Sequence, residues 1–415
     1  MRSVVSGVVV AALAAALVLS AAGPQAAGRP VKGIWVVRHA LGSPASVARL
    51  VADARDAGFD TLLVQVRGRG DAYYASRLEP RATPLDRGPT GFDPLGEVIL
   101  RAHGAGLRVH AWLNVNLVAS VHDLPRHPRH VVRRHPEWLM APRGFATSPG
   151  ALDARKPGYA ARLAAWTRAN APAVEGLFTS PVPREAAAYL AEVIGDLVAR
   201  YPVDGVHLDY VRYPDESFDY SASALREFRA EVAPELSRDE RARLDARAVR
   251  SPLTYSDMFP MRWDTFRRSR LTALVMRVRT EVKRHRPEAL VTAAVVADPE
   301  GALTTRLQDW PSWAGMGLLD AVCPMAYTGD PVLYSRLIDT AVRAAGPVPL
   351  WAGVGAFRLS PEQAAAHASV ARQLGAQGFL LFSWDSISDA AGGALDYLAR
   401  VQRALGDAAP SPLSR

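Results

Sequence analysis

The stretch REAAAYLAEVIGDLVARYPVDGVHLDYVRYP, residues 184–214, decides the fold. Its first part, 184–201, reads as a helix, and past Pro202 the period changes to that of a strand. Val203, Val206 and Leu208 are core residues by type, whereas His207 and Asp209 lie two apart and share one strand face. An unpaired carboxylate in a core costs several kcal/mol, so Asp209 needs a partner or a cavity.

Outward from this helix–strand unit the same alternation repeats. VKGIWVVRH (31–39), TLLVQVRG (61–68) and LRVHAWLNVNL (107–117) are apolar strand-like runs ahead of it, separated by helical stretches. ALVTAAVVAD (289–298), LLDAVCPMAY (318–327), VPLWAGVGA (348–356) and GFLLFSWDS (378–386) follow it, again with helices between. Strands alternating with helices predict parallel strands joined by right-handed crossovers. Eight such units predict an α/β fold, a closed (β/α)8 TIM barrel. A doubly wound open sheet is the alternative, and the absence of a Gly-x-Gly-x-x-Gly turn after the first strand speaks against it. A barrel needs about 250 residues, and the surplus falls after strand 3 (about 118–183) and after strand 4 (about 215–257). The expected organisation is a segment 1–27, one domain over 28–407 and a tail over 408–415.

Residues 1–27 have a short basic start, an apolar run and an Ala-rich end, which describes a secretory signal peptide cleaved after Ala22 or Ala27. Export to the periplasm or the extracellular space follows, without a stable membrane anchor. The single cysteine, Cys323, sits in an apolar strand and can make no internal disulfide, so it reads as a core residue. The net charge of +8 is carried by arginine, with lysine only at 32, 156 and 283. No nucleic-acid-binding motif accompanies that charge, so nucleic acid is not an expected partner, while an anionic polymer of the cell envelope is compatible with it. Part of that charge is the run HPRHVVRRHPEW, and the His-, Pro- and Arg-rich stretch at 122–136 reads as a solvated loop rather than a metal tract.

Barrel enzymes build their sites at the C-terminal ends of the strands. Those ends offer Arg67 and then Asp71 from strand 2, His110, Trp112 and Asn114 from strand 3, and His207, Asp209, Arg212 and Tyr213 from strand 4. Strands 6, 7 and 8 add Tyr327, Trp351, Trp384 and Asp385. Aromatic rings that stack on sugar faces, set among carboxylates and polar donors, suit glycan binding. Glycosidic cleavage needs a carboxylic acid to protonate the leaving oxygen and a second group at the oxocarbenium-like centre. Asp209 is the expected acid, Asp71 or Asp385 the expected second carboxylate, and His207 a group that orients or tunes Asp209. The competing readings are core roles for the aromatics and histidines, and a structural ion pair of Asp209 with Arg67 or Arg212. A metal site would need His39, His110, His207 and Asp209 to converge; no ligand motif at metal spacing is present, and neither metal nor cofactor is expected.

GIWVVRH, QVRGRGDAYYASRLEP, AHGAGLRVHAWLNVN, HPEWLM and VDGVHLDYVRYP occur in that order. Together they resemble the glycosyl hydrolase-like family 10, exported bacterial (β/α)8 proteins associated with cell-envelope glycan cleavage. The resemblance spans about residues 31–390 and implies that Arg67, Asp71, His110, Trp112, Asn114, His207, Asp209, Tyr213 and Tyr327 line a site. Two departures remove carboxylates: Arg108 stands where members often have Glu, and Tyr210 follows Asp209 where many have a second Asp. DGVHLDYV is also similar, more distantly, to the strand-4 motif of family-18 chitinases, but Val211 occupies the position of that family's acid. The expected function is an exported glycoside hydrolase acting on a cell-envelope or extracellular polysaccharide, with peptidoglycan strands among the candidate substrates. The alternatives are a non-catalytic glycan-binding barrel and a metal-dependent polysaccharide deacetylase.

Overall fold

Eight of the apolar runs of the sequence are the eight strands of one parallel sheet. The computed structural model describes residues 29–389 and 392–407; the expected signal peptide and the tail over 408–415 lie outside them. The barrel strands are β1 (Val31–Val36), β2 (Thr61–Arg67), β3 (Arg108–Asn114) and β4 (Gly205–Asp209), then β5 (Leu290–Val295), β6 (Ala321–Pro324), β7 (Trp351–Val354) and β8 (Gly378–Phe382). Their hydrogen-bonded order is β6-β5-β4-β3-β2-β1-β8-β7. Isolated parallel bridges Val322–Leu350 and Met325–Gly353 join the two ends, so the sheet closes as a (β/α)8 barrel. The strands are covered on both faces, which is why β2, TLLVQVR, is buried along its whole length and is apolar except for Thr61, Gln65 and Arg67.

Local signals set the crossovers. The helix Pro44–Asp56 starts with a reciprocal Ser43–Ser46 capping box and Pro44 in its first turn. The helix Pro94–Gly104 is capped by Asp93, whose carboxylate accepts the Gly96 N–H. The helix Arg184–Arg200 buries Leu190, Ile194, Leu197 and Val198 and delivers the chain to β4. Between β5 and β6 the chain forms two short helices, Pro299–Thr305 and Trp310–Gly315, each with a proline in its first turn.

Both insertions leave from C-terminal strand ends. The first holds an antiparallel pair, Leu117–Ala119 with Leu177–Phe178, and the helix Tyr159–Asn170. The second holds the helices Ala222–Val232, Arg238–Ala248 and Thr254–Met258 before the long helix Pro260–His285. They share a core of their own, in which Trp263 packs against Phe228, Phe266 and Tyr220. Burial of each such aromatic contributes about 2–3 kcal/mol, enough to make the insertions a fixed wall rather than a loose fringe. Among the described residues no helix is long and apolar enough to cross a membrane.

Candidate active site at the C-terminal mouth of the barrel

Inside the barrel, strand alternation stacks side chains in tiers. Low in the barrel, His110 meets Trp351 edge-on with ring centroids 5.6 Å apart. His110 lies opposite Gly205, where a Cβ would fall 2.5 Å from its ring, so only glycine fits there. Neither His110 ring nitrogen has a partner, and burial lowers its pKa to about 4. One tier up, the Trp35 indole N–H donates to His207 Nε2 (3.0 Å), and His207 Nδ1 contacts Thr292 Oγ1 (2.9 Å). With Nε2 accepting, Nδ1 carries the proton, so the ring is neutral and both nitrogens are occupied. Burial pushes its pKa well down.

Asp209 ends β4 above this tier. One carboxylate oxygen accepts the Trp112 indole N–H (3.2 Å) and the other the Tyr210 N–H (2.7 Å). Tyr210 holds a left-handed backbone conformation, φ 50°, which costs a non-glycine residue about 1 kcal/mol or more and turns the chain over the mouth. Below Asp209, Trp112, Trp35, Tyr327 and Phe382 form an aromatic bowl with centroids 5.2–6.2 Å apart. Burial raises the Asp209 pKa to about 6, against the pull of Arg212, the Tyr210 N–H and Trp112. Asp209 makes no ion pair with Arg67 or Arg212, so the structural-pair reading does not describe it.

A second carboxylate acts on Asp209, and sequence reasoning missed it. Glu175, from the first insertion, pairs with Arg212 (Nη2 to Oε1, 3.0 Å), and its charge pushes the Asp209 pKa up. The Arg212 guanidinium lies 4.7 Å over the Tyr210 ring, and its Nε and Nη1 are buried without partners. Glu175 sits in irregular chain with no periodicity to mark it. The available signal was that it is the only carboxylate between Asp153 and Glu185. Trp35 was also missed, although it has the inward parity of β1.

Other expected site residues sit elsewhere. Arg67 is buried in a pair with Glu79 (2.8 Å) and also donates to the Asn114 and Val115 carbonyls. Asn114 bridges Gln65 and the Gly68 carbonyl. Tyr213 is buried with its hydroxyl on the Arg267 carbonyl (3.1 Å). Trp351 opens β7 and therefore lies at the bottom of the barrel. Trp384 follows the end of β8 and turns outward, donating to Asp53 beneath Arg49. Asp385 accepts the Val37 N–H (2.6 Å) and faces a cleft shared with His39, Ser46 and Arg49 on the side of the first helix. Burial raises its pKa to about 6. Asp71 accepts the Arg69 N–H (2.8 Å) in a separate cleft of about 640 Å³. Thus Trp112, Asn114, Asp209, Arg212 and Tyr327 gather at the mouth over His207, whereas the other candidates do not. His39, His110, His207 and Asp209 do not form a ligand set, and no three His, Cys, Asp or Glu side chains among the described residues do.

Comparison with known proteins agrees with this architecture. The glycoside hydrolase domain of PgaB (BpsB) from Bordetella bronchiseptica superposes with a TM-score of 0.62 at 17% identity, over 90% of this chain and 99% of that one. A β-galactosidase from the psychrophilic Marinomonas ef1 gives a TM-score of 0.59 at 12% identity, over 90% and 59%. At such identities the likeness is one of fold. In sequence, the chain is 23% identical over 351 residues to the glycosyl hydrolase DigH of Escherichia coli O6:H1, covering 73% of this chain and 66% of DigH. It is 26% identical over 171 residues to the glycosyl hydrolase YngK of Bacillus subtilis strain 168, covering 40% of this chain and 28% of YngK. The chain thus spans less than two thirds of the length of these relatives. The family described as "Glycosyl hydrolase-like 10" matches residues 30–345, a region that holds Asp209, Glu175 and six of the eight strands, and the chain belongs to that family.

Proposed function

We propose that this protein is a glycoside hydrolase that cleaves a cell-envelope or extracellular polysaccharide outside the cytoplasm, with Asp209 as proton donor. The observation that carries the reading is the Asp209 carboxyl, seated on an aromatic bowl at the barrel mouth with its pKa raised to about 6. A carboxyl so raised is partly protonated near neutral pH and can deliver a proton to a glycosidic oxygen. Family membership and the named hydrolase relatives support a glycan-acting enzyme.

In this reading Glu175, paired with Arg212, supplies the second carboxylate in place of Asp71 or Asp385. As the glycosidic C–O bond breaks, Asp209 transfers its proton to the departing oxygen. The Glu175 carboxylate then either bonds to the anomeric carbon or takes a proton from the attacking water. A separation of about 5–5.5 Å between the carboxyl groups serves the first course and about 6.5–9.5 Å the second. Trp112 and Tyr327 offer faces for sugar stacking. The deciding experiment is product release from a glycan panel, including peptidoglycan with and without its stem peptides, by the wild type and Asp209→Asn. Cleavage by the wild type alone is expected. Equal cleavage by both removes Asp209 from the chemistry, and binding without cleavage by either makes the protein a glycan-binding barrel.

A further inference from the structure

The segment RGRGD, 67–71, and the run HPRH, 127–130, meet across the cleft of about 640 Å³ that holds Asp71. Arg38, Arg69, Arg81 and Arg126 line it, against the two carboxylates of Asp71 and Asp123. Most buried or half-buried arginines elsewhere in the molecule are paired, as Arg67, Arg267 and Arg279 are. None of these four forms an ion pair among the described residues. Asp71 binds the backbone of Arg69 rather than any guanidinium, and Asp123 is exposed.

The cleft is built, not incidental. Arg38 lies across Gly68, where a Cβ would meet its Cδ at 2.5 Å, so the glycine is what lets the guanidinium reach inward. Gly70, at φ 70°, leaves room for His130, which a Cβ would approach to 2.9 Å. His130 Nδ1 accepts the Val132 N–H (3.2 Å), so Nε2 carries the proton and donates to the Arg69 carbonyl (2.8 Å). That bond fixes the peptide from which Arg69 projects. Burial and the neighbouring Arg38 push the Arg69 pKa down, and the opposing pull of Tyr210 and Asp71 does not make up the difference.

The cleft also connects to the mouth. Arg38 Nη1 donates to Gln65 Oε1 (2.8 Å), Gln65 Nε2 donates to Asn114 Oδ1 (3.2 Å), and Asn114 lies opposite Asp209 in the β3–β4 register. Three strand spacings of about 4.8 Å put Arg38 roughly 14 Å along the rim from Asp209, within reach of an oligosaccharide seated there.

We propose that this cleft is an anion subsite, which binds a carboxylate or phosphate carried by the glycan some way along the chain from the scissile bond. The protein would thereby select acidic over neutral polysaccharides. Its role in selecting a substrate rests on the hydrolase reading, but its binding chemistry does not. The test is therefore a binding measurement by calorimetry at low and moderate salt, on the Asp209→Asn chain. The probes are a uronic-acid oligosaccharide, its methyl ester and a phosphate-bearing glycan. The acidic forms are expected to bind about tenfold or more tightly than the ester, with the gap narrowing in salt. Arg69→Gln is expected to remove the preference. Arg126→Gln, at an exposed position that leaves folding intact, is expected to reduce it about threefold, the order of one partly screened contact. Whichever acidic form binds more tightly identifies the anion read. Equal affinity for acid and ester, or a preference that survives both substitutions, overturns the proposal. If no glycan is cleaved by the wild type while the charge preference is present, the hydrolase reading fails and the subsite stands.

Discussion

Two arginine–glutamate pairs flank the barrel mouth, and they are built to opposite rules. Arg67 and Glu79 are both buried, and every guanidinium nitrogen of Arg67 has a partner in Glu79 or a strand-end carbonyl. Arg212 and Glu175 are joined by one contact, Glu175 is a third exposed, and two Arg212 nitrogens are left over. A saturated pair fixes geometry and has nothing left to offer a ligand. An unsaturated one leaves a desolvated charge that a ligand or a transition state can complete. The difference separates scaffold from site more sharply than residue type does, since both pairs use the same two amino acids.

The largest expected effects break this contrast outright. Asp209→Asn, beside the unsaturated pair, is expected to lower kcat by about 10²–10⁴-fold without unfolding the barrel, read by product release and circular dichroism. Its stability profile carries a sign. The raised Asp209 pKa means that the folded state holds the proton more tightly. The resulting stabilisation is complete below about pH 4 and is lost as pH rises through about 6. Asp209→Asn should therefore flatten the fall in stability between pH 4 and 7 by up to about 3 kcal/mol, measured by urea unfolding across pH. Arg67→Ala leaves Glu79 buried and unpaired and should cost about 3–5 kcal/mol in the same assay. Arg212→Ala should cost markedly less and act on turnover instead; equal destabilisation by the two would erase the distinction.

Smaller effects sharpen it. Glu175→Gln removes a charge that raises the Asp209 pKa and frees Arg212, which lowers it. The alkaline limb of the pH–rate profile should move to lower pH, with turnover down about tenfold or more. An unmoved limb would separate Glu175 from Asp209. At the low end, His207→Leu strands the Trp35 N–H and should cost about 1–3 kcal/mol. His110→Leu removes a ring whose nitrogens bond nothing and should be close to neutral, both read as shifts in Tm.

The barrel was legible because parallel strands covered on both faces are near-continuous apolar runs, set between stretches of helical period. Parity within a strand was legible too: Trp112, His207 and Asp209 point inward as their spacing requires. Height along the strand was not. Trp351 and Trp112 look alike in sequence, yet one opens its strand and lies at the closed end while the other ends near the mouth. Alternation also stops where pairing stops, so Trp384, two residues beyond β8, turned away from the pore. Glu79 and Glu175 escaped notice because both sit in irregular chain, where position is set by tertiary contacts alone.

The joint between β6 and β7 has a mechanical consequence. Every other neighbouring pair of strands is stitched by a ladder of four or more residue pairs, but here two isolated bridges do the work. The barrel behaves as a bracelet with a clasp, and thermal breathing should begin there. The Val322 amide, bonded across the clasp to the Pro349 carbonyl, is expected to exchange with deuterium ahead of the amides within β2 and β3. The family match ends at residue 345, just before the clasp, so β7 and β8 lie beyond it. A chain permuted to start in the turn at 346–349 would sever no ladder and should still close into the same ring.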